Sequence, residues 1–272
     1  MIRFLAVAAI VAVTGGIALY FFAQHLRRTG MFFPAKYPEG FWDTSALPVK
    51  PEEHWFQTPD GLRLHAWLFR ARDANAPLLI YFHGNAGNLG ERGPVASNLA
   101  AHGVSVFVFD WRGYGKSDGT PTEEKLFVDA LAAHDFAKQF GKKIVAYGES
   151  LGGPYAAFVA KERKDVRAVV IENSFPSLSE IGDVLYAPLP LGWTARNALT
   201  TAKWLNESNV PVLVMHGKPD QVIPFQLGVS LYEQLKCKKE MLVSETSQHC
   251  EIANTEHDRY YETVTRFIKD AS

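Results

Sequence analysis

A mixed α/β fold, with a mostly parallel eight-stranded sheet flanked by helices on both faces, is predicted by three features of the sequence. From residue 78 onward, short apolar or β-branched runs alternate with stretches of helical spacing, as expected of buried strands joined by crossover helices. Before them, Pro59-Asp60-Gly61 separates two alternating segments, so the sheet begins with an antiparallel hairpin. The 272 residues are 47% hydrophobic and 21% charged, which supplies a large core and excludes a disordered chain.

At the N terminus, residues 4–23 carry no charge. Twenty helical residues span about 30 Å, the thickness of the hydrocarbon layer, so this run predicts a single transmembrane helix, a membrane localisation and a membrane contact. A cleaved signal peptide is the competing reading, but the length of the run and the bulky Phe21 and Phe22 favour an uncleaved anchor. Arg3 on one side and Arg27 and Arg28 on the other leave the orientation open. The chain therefore divides into an anchor at 1–28, a connector at 29–50 containing Pro34, Pro38 and Pro48, and an α/β domain at 51–272 with a short cap at about 174–208.

Within that domain the hairpin strands fall at 54–57 and 63–69, and six further strands at 78–82, 104–109, 143–147, 166–171, 212–215 and 240–243. Helices are expected at 89–101, 122–140, 151–163, 224–235 and 256–269, with Thr122 able to cap the second. In such sheets the reactive groups collect beyond the carboxyl ends of the strands.

Charge and cysteine content narrow the chemistry. Twenty-eight basic against 29 acidic side chains, a net charge of −1, exclude an electrostatic nucleic-acid binder. Cys237 and Cys250, with no CxxC, exclude a cysteine-rich zinc module and a thioredoxin-type pair, and no metal or cofactor is expected. The two thiols flank the last strand at opposite ends, beyond the ~7 Å reach of a disulfide, and are expected to be free.

Two segments satisfy G-x-S-x-G, so context must choose between them. Gly148-Glu149-Ser150-Leu151-Gly152 follows an apolar strand directly and leads into a small-residue helix, the setting of a serine on a sharp strand-to-helix turn. Gly115-Lys116-Ser117-Asp118-Gly119 lies in a glycine-rich loop, and Ser117 reads as a turn residue. Nor is it a phosphate-binding loop, because Asp110 stands where that motif needs glycine. Ser150 is the candidate nucleophile.

A serine hydroxyl needs a base to accept its proton, and that base needs an acid to fix its tautomer. His249, in the loop after the last strand, is the candidate base, whereas His257 falls inside the final helix. Asp220, in the loop after 212–215, is the candidate acid and completes the chain order Ser, Asp, His. Asp110 and Glu172 also end strands and read as structural anchors, as does His83. In His83-Gly84-Asn85-Ala86-Gly87-Asn88 a glycine turn exposes the Asn85 amide, which with the Leu151 amide can form an oxyanion hole.

HGNAGN at 83–88, DWRGYGKSDG at 110–119, YGESLGG at 147–153, ENSF at 172–175 and HGKPDQVIP at 216–224, in this order, resemble the α/β-hydrolase superfamily. More narrowly, they resemble the Bem46-like group of membrane-anchored serine hydrolases, over roughly residues 56–268. The resemblance implies an α/β-hydrolase fold, Ser150, Asp220 and His249 as a triad, and Asn85 and Leu151 as oxyanion donors. Ser247-Gln248-His249-Cys250 departs from the group's glycine-then-His-Asn form.

The expected activity is hydrolysis of carboxylic esters or thioesters through an acyl-enzyme, on a small-molecule or lipid-like acyl substrate. A serine peptidase or amidase on the same fold, and an inactive binding module, are the alternatives. In the cap, Phe175, Leu189, Leu191, Trp193 and Trp204 either line an acyl pocket or pack onto the sheet, as do Leu178, Ile181 and Leu185 on one helical face.

Overall fold

A computed structural model describes residues 2–29, 31–185, 187–188 and 191–271. The first half of the chain contains α1 (Ile2–Thr29), β1 (Phe33–Pro34), β2 (Glu52–Gln57), β3 (Arg63–Phe69), β4 (Leu78–Phe82), β5 (Ala86–Gly87), a 3₁₀ turn (Leu89–Arg92), α2 (Gly93–Ala101), β6 (Ser105–Phe109) and α3 (Glu123–Ala137). Next come a 3₁₀ turn (Lys138–Phe140), β7 (Ile144–Glu149), α4 (Gly152–Glu162), β8 (Val166–Glu172), α5 (Leu178–Leu185), a third 3₁₀ turn (Leu191–Ala195) and α6 (Thr201–Ser208). The chain closes with β9 (Val212–Gly217), α7 (Phe225–Gln234), β10 (Lys239–Ser244), α8 (Ile252–Thr255) and α9 (His257–Ala271).

Eight strands form one sheet in the order β10-β9-β8-β7-β4-β6-β3-β2. The sheet is mixed: β10 through β6 pair in parallel, whereas β3 pairs antiparallel with both β6 and β2. A parallel strand covered on both faces buries every side chain, and β7 illustrates it. Ile144 and Ala146 enter one core with α3, α4 and α6, while Val145 and Tyr147 enter the other with α2 and α9. Phe33–Pro34 and Ala86–Gly87 form a separate two-stranded parallel pair that ties the connector to the loop after β4.

Local rules account for the helix boundaries. Thr122 caps α3, accepting from the Lys125 amide at 3.3 Å, with Glu123 and Glu124 in the first turn where the helix dipole favours acids. The helix expected at 89–101 is divided into a 3₁₀ turn and α2. Asn88 Oδ1 caps the turn through the Gly90 amide at 3.0 Å, and Pro94 occupies the start of α2, where its missing N–H costs nothing.

The N-terminal segment requires a correction. It is helical, yet among the described residues no helix is long and apolar enough to cross a membrane. The transmembrane helix expected at 4–23, the membrane localisation and the membrane contact are overturned by that finding. The expectation rested on the absence of charge, which alone does not make a span. The run includes Thr14, Gly15 and Gly16, the Thr14 hydroxyl donates to the Ile10 carbonyl at 2.9 Å, and Tyr20 stacks on Trp193 with ring centroids 5.8 Å apart.

Candidate active site

Five strand ends converge on the site. Ser150 follows β7 in a left-handed backbone conformation, φ 51°, that a non-glycine residue adopts only when its surroundings hold it. The Ser150 amide donates to the Glu172 carbonyl at the end of β8, 2.8 Å away, and the Ser150 carbonyl accepts from the Gly153 amide at 3.0 Å. Two glycines make the turn possible. A Cβ on Gly152 would lie 1.8 Å from the Phe82 carbonyl oxygen, and one on Gly148 would lie 2.5 Å from the Gly153 Cα.

Ser150 Oγ lies 3.0 Å from His249 Nε2, and His249 Nδ1 lies 2.8 Å from Asp220 Oδ2. An ionised carboxylate can only accept, so Nδ1 carries the proton and donates it to Asp220. Nε2 is then the acceptor facing the serine hydroxyl. Burial works to raise the Asp220 pKa, but hydrogen bonds from His216 and His249 outweigh it and hold the carboxyl well below the usual range.

The acid is itself built into a turn. Asp220 Oδ1 accepts from the Val222 and Ile223 amides at 2.8 and 2.9 Å, while Oδ2 also accepts from Asn173 Nδ2 at 2.6 Å. His216 Nε2 donates to the Ile223 carbonyl at 2.8 Å and lies 3.4 Å from Asp220 Oδ2. The histidine loop is pinned in turn: the Lys218 amide donates to the Ser244 carbonyl at 2.8 Å, and Ser247 is bonded through its side chain to Ser244 and Thr255. Cys250, immediately after His249, has φ 57°, a conformation in which asparagine is better tolerated than cysteine.

The loop carrying Asn85 presses against the serine turn. A Cβ on Gly84 would lie 3.3 Å from Ser150 Cβ and 2.9 Å from Glu149 Oε1. The Asn85 carbonyl accepts from the Phe33 amide and the Tyr114 hydroxyl, each at 2.8 Å, and Asn85 Nδ2 donates to the Met31 carbonyl at 2.9 Å. Leu151 is the N-cap of α4, and amides at a helix start have no acceptor within the helix.

Behind the turn, Glu149 is buried in an ion pair with Arg92, whose Nη2 donates at 2.6 Å and Nε at 3.2 Å. Glu149 also accepts from the Tyr81 hydroxyl at 2.7 Å and the Gly84 amide at 3.3 Å, so one carboxylate joins the serine turn to the Asn85 loop. Burial alone would raise its pKa, but the Arg92 charge and hydrogen bonds lower it to about 2.

The rival residues lie elsewhere. Ser117 Oγ donates to the Asp110 carbonyl at 2.8 Å and accepts from the His65 amide at 2.9 Å, which makes it a turn fastener. Asp110 accepts from the Leu89 amide at 2.8 Å, and His257 is exposed at the start of α9 beside Asp258. His83 is fully buried, its Nδ1 donating to the Gly84 carbonyl at 2.8 Å, and burial with the nearby Arg92 charge lowers its pKa to about 4. Glu172 anchors the turn through its backbone carbonyl, while its side chain is bonded by the Tyr147 hydroxyl. Both cysteines are free.

Over residues 174–208 the described aromatic residues pack against neighbouring side chains. Phe175 is buried in the core, and Trp204 packs edge-on against Phe127 and Phe158. Leu178 and Ile181 pack on that core, Leu185 is half exposed, and Trp193 is turned to Tyr20. Leu189 and the Leu191 side chain lie outside the described residues. Asn173 and His216 escaped sequence reasoning. Their one available signal was position, each being a polar residue at the carboxyl end of an apolar strand.

A mixed sheet of this order, with a serine on a strained strand-to-helix turn and a histidine after the last strand, defines an α/β hydrolase. An α/β-hydrolase fold family matches residues 77–191. The protein bem46 of Schizosaccharomyces pombe is 30% identical over 226 residues, covering 76% of this chain and 74% of that protein. The chain belongs to the Bem46-like group of the α/β-hydrolase superfamily. Among solved structures, an esterase of Pyrococcus furiosus, Pf2001, superimposes with a TM-score of 0.72 at 22% identity, over 88% of this chain and 99% of that one. Est1E from Butyrivibrio proteoclasticus, with ferulic acid bound, has a TM-score of 0.68 at 26% identity, over 80% and 98%.

Proposed function

We propose that the protein is a serine hydrolase that cleaves carboxylic esters or thioesters of small acyl substrates through an acyl-enzyme. The observation that carries this reading is the continuous line of contacts from Ser150 Oγ through His249 to Asp220, at 3.0 and 2.8 Å. The esterase Pf2001 supports it through shared fold, and Est1E supports it through a carboxylic acid held on a similar chain.

In this mechanism Ser150 Oγ attacks the carbonyl carbon while its proton passes to His249 Nε2. The Asn85 and Leu151 amides donate to the resulting oxyanion, each such donor contributing about 3 kcal/mol to the transition state. Collapse of the intermediate breaks the bond to the leaving alcohol or thiol, which takes the proton from Nε2. Water then enters by the same route, giving one proton to Nε2 and its oxygen to the acyl carbon; the bond from the acyl carbon to Oγ then breaks, Oγ takes the proton back from Nε2, and the acid leaves. Asp220 stays ionised throughout and stabilises the imidazolium. In the same reading residues 51–272 are the catalytic domain, with 174–208 as a small cap.

The test is hydrolysis of a short-chain aryl ester. Ser150→Ala lowers kcat by about 10³-fold or more, with the folded state retained by circular dichroism. Equal rates for variant and parent would remove Ser150 from the reaction.

A further inference from the structure

A cavity of about 440 Å³ opens on the face of the sheet covered by α2 and α9. Ser150, His249 and Asp220 do not line it, although Glu149 and Cys250, which do, adjoin two of them in the chain. Its volume lies within the range of small-molecule sites. Phe41, 73% exposed, stands in its wall, so the cavity is reached from solvent.

The polar lining is unevenly satisfied. Three carboxyl groups, Glu91, Glu149 and Glu172, face one guanidinium, Arg92. Arg92 is already bonded to Glu149 and Glu91. Glu172 is 3% exposed; its Oε2 accepts from Tyr147, and its Oε1 has no hydrogen-bond partner among the described residues. A buried acceptor left without a donor costs about 1–3 kcal/mol, so a ligand that supplies the donor recovers that energy. Burial, opposed in part by the Tyr147 hydrogen bond, pushes the Glu172 pKa up to about 8. A neutral donor would satisfy Oε1 but leave the acid uncharged, whereas a cation brings both the donor and the charge that permits ionisation. An anion would meet three carboxyl groups and an arginine already in use.

We propose that this cavity binds a small organic cation, a primary ammonium on an apolar body, with the ammonium on Glu172 Oε1 and the body against Phe41, Val95 and Ala253. The site is separate from the ester-cleaving one and is measured without turnover.

Isothermal titration of the full chain at neutral pH with benzylammonium, benzyl alcohol and benzoate tests it. Benzylammonium binds one to one and about tenfold or more tightly than the other two, consistent with a charge-assisted hydrogen bond. Glu172→Gln, which keeps the shape and removes the charge, weakens benzylammonium by about tenfold or more. Asn254→Lys, at the exposed rim, places a fixed cation in the mouth and also weakens it. If Glu172→Gln fails to fold, Asn254→Lys decides. No binding of benzylammonium, equal or tighter binding of the alcohol or benzoate, or unchanged binding in the folded variants overturns the proposal.

Discussion

The same five-residue pattern occurs twice in this chain, at 115–119 and 148–152, with opposite outcomes. At Ser117 the hydroxyl is consumed locally, donating to Asp110 and accepting from His65, so it fastens a turn. At Ser150 the hydroxyl points to an imidazole 99 residues away, while backbone bonds to β8 and α4 hold the strained turn. The difference lies in what the following residues permit. Gly152 admits the Phe82 carbonyl at a distance that no Cβ would allow, so α4 starts at once and carries Ser150 to the strand end. Gly119-Thr120-Pro121 instead delays α3 until Glu123, and the serine is left inside a loop.

The two serines differ first in what supports them. The Ser150 turn is held from behind by the buried Arg92–Glu149 pair, so Arg92→Ala leaves a buried carboxylate without its cation. Unfolding in urea should show a loss of about 3–5 kcal/mol. A loss below 1 kcal/mol would mean that the turn does not depend on the pair.

Asn173→Ala comes next. It removes the 2.6 Å hydrogen bond to Asp220 but leaves the serine and histidine in place. A hydrogen bond to a charged group contributes about 1.5–3 kcal/mol, so kcat on the aryl ester should fall by about 10- to 100-fold with KM nearly constant. An unchanged kcat would show that His216 and the Val222 and Ile223 amides orient the acid unaided.

Ser117→Ala sharpens the contrast with Ser150→Ala. It leaves the buried His65 amide without its acceptor and so costs about 1–3 kcal/mol in denaturant, while kcat/KM stays within about twofold of the parent. Loss of activity at unchanged stability would reverse the two roles.

The smallest effect is a pH slope. Glu172 has its pKa raised from 4.5 to about 8 in the folded state, so between those values the native protein binds more protons than the unfolded chain. Glu172 therefore contributes a decline in stability as pH rises from about 4.5 to 8. Tm measured across that window should fall less steeply in Glu172→Gln than in the parent, and identical slopes would place the acid's titration outside it.

Much of this was legible in advance, and the reasons differ by region. The six parallel strands were visible because burial on both faces writes near-continuous apolar runs. Four of them extend past their expected carboxyl ends, because Glu149, Glu172, Gly217 and Ser244 read as loop residues although they belong to strands. Chain order and strand ends single out Ser150, Asp220 and His249 as candidates, and the structure brings those three side chains into contact. Asn173 stayed hidden because its role depends on β8 lying beside β9, a relation between distant segments. The β1 and β5 pair, two residues each, carries no periodicity at all. The N-terminal run shows that lack of charge alone does not make a membrane span.

Of the two serines in the same sequence pattern, Ser150 is the proposed nucleophile. Reaction with a fluorophosphonate probe followed by peptide mapping tests it most directly. A single adduct is expected on Ser150 in the parent and in Ser117→Ala, and none in Ser150→Ala. An adduct on Ser117, or labelling that persists in a folded Ser150→Ala protein, would contradict it.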